Sequence, residues 1–135
     1  MLEVEMMTKG FAYLTQLSQY RIVKQEVPFL SRCIDIVMID QNNTIISIEF
    51  KVSKWRHAIE QAVNHKLGAD MSYICLPKRR VTDVLVKALN ESGIGLMLFD
   101  ENSESVITEV IPASINSTNI PAFRKMLIDN IGKVS

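Results

Sequence analysis

The chain has 135 residues and reads as one domain, long enough to bury a core without disulfide or metal staples. Apolar residues make up 47% and charged residues 22% with zero net charge, which counts against a protein that wraps long stretches of nucleic acid, because phosphate neutralisation needs clustered Lys and Arg. No apolar run approaches membrane-spanning length, and the acidic start "MLEVEMMTKG" is wrong for a secretory signal, so a cytoplasmic protein without a membrane partner is expected.

In chain order, the apolar spacing of Leu2, Met6, Leu14 and Leu17 predicts a helix from Met1 to about Ser18. Tyr20 to Val27 reads as a strand closed by Pro28, and Cys33 to Asp40 as a second strand. "DQNN" at 40–43 is a turn, and Thr44 to Lys51 is a third strand that completes a hairpin. Ser53 is placed to cap a helix from Lys54 to Leu67, ended by Gly68. Its apolar face is Trp55, Ala58, Ile59, Ala62 and Val63.

Beyond this helix come a strand from Met71 to Leu76, a helix from Thr82 to Ser92 ended by Gly93, and strands over Gly95–Asp100 and Ser105–Ile111. A polar connector follows at 112–119, and Asn119 is placed to cap a final helix from Ile120 to about Ile131. The first three strands lack crossover helices and should be antiparallel, whereas the later strand–helix–strand passage fits a parallel crossover. The expected fold is α/β, a single mixed sheet flanked by helices. Cys33 and Cys75 lie in apolar strand text outside any C-x-x-C pair, so both are expected as reduced, buried thiols.

The chemistry-bearing text is "IISIEFKVSKW", residues 45–55. Strand alternation puts Glu49 and Lys51 on the same face. Counting back through the turn sets Asp35, which interrupts the apolar "CIDIVMI", opposite Ile48 or Glu49. Two carboxylates on one half-buried patch repel each other, and a divalent cation removes that repulsion. Mg²⁺ is held by one or two carboxylates together with water and substrate phosphate. Lys51 beside them would orient a water or stabilise developing phosphate charge, which describes metal-assisted phosphodiester hydrolysis.

Asp35 followed by Glu49-Phe50-Lys51 in consecutive strands, with a helix immediately after, resembles the core of the PD-(D/E)XK nuclease superfamily, the restriction-endonuclease-like fold. The order αβββαβ matches that core, extended here by a further helix, two strands and a C-terminal helix. The resemblance covers about residues 20–76. It implies Asp35 and Glu49 as ligands of Mg²⁺ or Mn²⁺, the Phe50 carbonyl as a further ligand and Lys51 as the catalytic lysine. Arg32 resembles the basic residue often found ahead of the strand aspartate. Gln61 matches a helical glutamine carried by some branches, while His65, one turn on, stands where those branches have tyrosine. Many members supply another acid from the first helix. Glu3 and Glu5 sit far toward its start, Thr8 occupies the nearer position, and Glu26 on the first strand is the second-rank choice. The implied partner is nucleic acid, DNA before RNA, and a homodimer would let one small site meet both strands.

Two basic clusters offer phosphate contacts: Lys54 and Arg56 beside Lys51, and Lys78, Arg79 and Arg80. Bland readings compete with several residues. Gln61 and His65 could be surface helix residues, Trp55 a core anchor, and "PKRR" a solvated loop. His57 and His65 are about two helical turns apart, roughly 12 Å, too far to share a zinc ion. "GIG" at 93–95 follows a helix and precedes a strand, the reverse of a dinucleotide fingerprint. No G-x-x-x-x-G-K-[ST] or G-x-S-x-G occurs. The rival to a nuclease is an inactive module of the same fold that binds nucleic acid or a protein.

Overall fold

A computed structural model describes residues 1–117 and 119–134. The order is α1 (Glu3–Leu14), β1 (Tyr20–Phe29), β2 (Arg32–Asp40), β3 (Ile45–Phe50), α2 (Trp55–His65), β4 (Met71–Pro77), α3 (Asp83–Ser92), β5 (Gly95–Phe99), β6 (Ile107–Ile111) and α4 (Pro121–Lys133). The six strands form one sheet in chain order. β1–β2–β3 are antiparallel, β3–β4–β5 are parallel through α2 and α3, and β6 returns antiparallel. Among the described residues no helix is long and apolar enough to cross a membrane.

Both faces of the sheet are covered, which is why all six residues of β3 are buried. On one face Met6, Met7 and Leu14 of α1 pack on Ile36, Ile48 and Phe50. Gly10, the single glycine of α1, permits that contact: a Cβ there would meet the Phe50 ring at 3.0 Å. On the other face Ala58, Ile59 and Ala62 of α2 pack with Leu85 and Leu89 of α3 on Ile74, Leu76 and Leu96. Burying side chains such as these stabilises a fold by about 1.5–3 kcal/mol each.

α4 closes the second face through Leu127 and Ile131, and Asp70 ties it down. Asp70 Oδ2 accepts the Ile45 backbone N–H at 2.8 Å and Arg124 Nη2 at 3.0 Å, while Oδ1 accepts Asn119 Nδ2 at 2.8 Å and Arg124 Nε at 3.0 Å. Partial burial alone would raise the Asp70 pKa, but these donors together hold it below the ordinary aspartate value. Asn119 is therefore spent on Asp70, and α4 begins instead with Pro121, whose fixed φ suits a first helical position.

Other boundaries also move. Pro28 does not end β1 but pairs with Cys33 inside it, which is possible because β1 is a sheet edge. α1 stops at Leu14, and the chain tightens into turns through Gln16 N–H to Tyr13 O and Leu17 N–H to Leu14 O before entering β1. Ser53 does not cap α2, because Lys54 in the cap position takes a left-handed φ of 55°. Val63 faces solvent, and so does Cys33 on the edge hairpin; only Cys75 is buried. Gly93, with φ 72°, closes α3 as expected, and Thr82 caps it by accepting Leu85 N–H.

Candidate functional site

The register between β2 and β3 runs from Ile39↔Ile45 to Ile36↔Ile48, so the next position sets Asp35 against Glu49. Asp35 Oδ2 accepts the Phe50 backbone N–H at 2.8 Å. Asp35 thus bonds to the residue between Glu49 and Lys51. The alternation of the β1–β2 arm breaks at this level. Val23 and Met38 pack on the α1 face, yet Val27 and Ile34, of matching parity, pack on the α4 face. The break falls at Glu26, which has a φ of 52°, and at Asp35.

Glu49 is 6% exposed, and its Oε1 is buried without a hydrogen-bond partner. Burial first, and then the Asp35 charge, push its pKa up to about 8. Asp35 is raised as well, by burial, with Glu3 and Glu26 adding repulsion and the Phe50 N–H and Lys51 opposing it. The Lys51 ammonium lowers both acids and so lies within electrostatic reach of each. Its backbone is fixed by Lys51 N–H donating to Cys75 O at 3.0 Å.

α1 brings an acid toward the end of β3 from its very start. Glu3 Oε1 accepts the Val52 N–H at 3.0 Å, because the N-terminal end of α1 lies over the C-terminal end of β3. Thr8 instead folds its hydroxyl back onto Val4 O at 2.8 Å. Glu26 is exposed and adds charge near Asp35. The signal for Glu3 in the sequence was indirect: Gly10 marks where the helix lies closest to Phe50, and so which of its ends overhangs the site.

Among the described residues no three His, Cys, Asp or Glu side chains converge as a metal cage. The site offers two facing carboxylates, one with a bare buried oxygen, which suits a hard cation that completes its shell with water and substrate.

Gln61 and His65 line a cleft of about 380 Å³, which α2 forms with the β1–β2 hairpin tip. His65 is buried rather than a surface residue, and burial pushes its pKa down to about 4. Arg32 is exposed on the opposite lip of the cleft. Lys54 and Arg56 are exposed, Arg56 lying 4.4 Å above the Trp55 ring. β3 and β4 are parallel, so Lys78, Arg79 and Arg80 leave the sheet at the same end as Lys51. Lys78 pairs with Asp100 at 3.7 Å, and Arg79 Nε donates to Arg80 O at 3.1 Å. A larger cavity, about 490 Å³, lies at the other end of the sheet around Tyr13, Tyr20 and Tyr73, away from the acids.

No family model and no curated protein matches this chain. Solved structures do. A repair endonuclease from Pyrococcus abyssi superposes with a TM-score of 0.50 at 15% identity over 70% of this chain and 44% of that one. EndoMS in a complex with double-stranded DNA gives 0.51 at 14% identity over 74% and 46%. The chain shares the fold of these two endonucleases. The chain spans less than half the length of either endonuclease. A protein of unknown function from Silicibacter pomeroyi shares this fold more completely, with a TM-score of 0.65 at 16% identity over 98% and 86% of the two chains.

Proposed function

We propose that the chain is a divalent-cation-dependent nuclease acting on DNA. The observation that carries this reading is the buried Glu49 carboxylate, bare at Oε1, set beside Asp35 with the Lys51 ammonium in reach of both. Left alone, such a pair is costly, since burial disfavours the charge on each acid and the Asp35 charge repels that of Glu49. Asp35, Glu49 and the Phe50 carbonyl would hold Mg²⁺ or Mn²⁺. The bound ion would supply charge neutralisation and Lewis acidity at the scissile phosphate.

The protein's own residues supply the rest. The Phe50 N–H fixes the Asp35 carboxylate, so it needs little reorganisation. Lys51 donates to a phosphate oxygen as negative charge develops there, or holds the attacking water, and it is worth most in a site screened from bulk solvent. Arg32 and the Lys54–Arg56 and Lys78–Arg80 clusters supply phosphate contacts that set register without reading sequence. A neutral chain of this size suits cleavage directed by DNA structure, or recruitment by a partner, and a homodimer would present two such sites.

The test is cleavage of plasmid, single-stranded, branched and RNA substrates with Mg²⁺ or Mn²⁺, with Lys51→Ala alongside. Cleavage that persists in Lys51→Ala would sink the assignment of the site. A second reading, a binding module without catalysis, draws on the lack of a third converging acid among the described residues. Unchanged thermal stability in millimolar Mg²⁺ and Mn²⁺ would favour it.

A further inference from the structure

The β1–β2 hairpin turns through two residues, Leu30 and Ser31, between the paired Phe29 and Arg32. Leu30 has a φ of 56° at the first central position of this turn, where glycine is the favoured residue. A bulky side chain at positive φ is a real outlier, and such strain gathers where a segment has a task. Packing does not account for it: Leu30 is 47% exposed.

Leu30 stands on the lip of the cleft that holds Gln61 and His65. His65 is 7% exposed with its Nδ1 buried and unpartnered, and Gln61 Oε1 is buried and unpartnered too. A bare buried lone pair is tolerated better than a stranded N–H. The His65 proton therefore belongs on Nε2, and the Gln61 NH₂ is the end left to reach a ligand. Both side chains thus offer neutral N–H donors to the cleft. Glu60 on the same cleft disfavours an anion inside it. Arg32 is three residues along β2 from Asp35, about 10 Å, so the cleft lies within a few nucleotides of the acids.

We propose that this cleft receives one nucleobase unstacked from the DNA beside the scissile phosphate, with Leu30 inserted into the vacated step. Gln61 and His65 donate to ring-nitrogen or carbonyl acceptors of the base, and Arg32 holds the flanking phosphate. Apolar wedges and donor-lined pockets are the two parts such extrusion needs. The inference rests on the nuclease reading of Asp35, Glu49 and Lys51.

The experiment uses duplexes carrying 2-aminopurine, whose fluorescence rises on unstacking, with Ca²⁺ in place of Mg²⁺ to hold the DNA uncleaved. Binding is followed by anisotropy in parallel. The wild-type chain should bind and raise the fluorescence severalfold at one position of the probe. Leu30→Gly should melt at a higher temperature, since its strain is relieved, and should still bind DNA while losing most of the rise. His65→Leu should likewise bind with little rise. Bound DNA with flat fluorescence at every probe position, or a full rise in Leu30→Gly, overturns the base pocket and leaves the nuclease reading standing. If no duplex binds and Glu49→Gln does not alter the heat of Mn²⁺ binding, both readings fall.

Discussion

The Phe50 backbone N–H donates to Asp35 Oδ2 across 2.8 Å, binding the aspartate of one strand to the residue between the glutamate and lysine of the next. This bond sets the spacing of the candidate site, and Glu49, forced inward beside it, carries most of the electrostatic cost.

That cost makes stability depend on pH. An unfolded glutamate ionises near 4.5, whereas Glu49 in the folded chain holds its proton to about 8. The folded state binds more protons across that window. Its contribution is therefore complete below pH 4.5 and is lost as pH rises through 8, on the order of a few kcal/mol. Urea melts without divalent ions should show stability falling between pH 5 and pH 8, and Glu49→Gln should flatten the fall. Millimolar Mg²⁺ should restore stability at pH 8. A flat profile in the wild type would show that the acids do not share a buried patch.

Lys51→Ala should lower the cleavage rate about a hundred- to a thousandfold, the usual cost of one donor aimed at developing phosphate charge. Mn²⁺ binding, read by calorimetry, should survive, because the acids remain. Equal loss of binding and rate would recast Lys51 as a structural counter-ion.

Glu3→Gln keeps an oxygen for the Val52 N–H but removes the charge that acts on Asp35. It should weaken Mn²⁺ binding about two- to fivefold at low ionic strength and less at high salt, as expected for an exposed charge. Thr8→Ala should change nothing. The reverse ranking would return the helix contribution to the middle of α1.

Asp70→Ala strands the Ile45 N–H and two bonds from Arg124, and should cost about 2–4 kcal/mol in urea melts. Arg124→Ala, whose side chain is one-third exposed, should cost about 1 kcal/mol. Because the Asp70 pKa is held low, its share of stability is present above the ordinary aspartate value of 3.8 and lost as pH falls below it. Equal costs for the two variants would mean that Asp70 serves Arg124 alone.

The nearness of Asp35 to Glu49 was legible to within one residue because a hairpin obeys simple arithmetic: a turn at 40–43 and a period of two set Asp35 opposite Ile48 or Glu49, and the register through Ile36↔Ile48 points to Glu49. The mixed sheet was legible for the same reason, one crossover helix per parallel step. Features set by packing between distant segments were not. Glu3 reaches the site only because α1 lies with its start over the end of β3. His65 is buried only because the hairpin tip closes over α2, and Cys33 is exposed because that hairpin forms the sheet's edge. Local rules also yielded where a residue had another use, as when Asn119 left the helix cap for Asp70.

The strands stand in the sheet in the order in which a ribosome would deliver them. Each newcomer meets an edge already built, and no early strand waits for a distant partner to be translated. The hairpin that brings the two acids together is complete once residue 50 has emerged. An acid pair set by one local hairpin leaves the later strands as a buttress laid against it, added one by one on one side only.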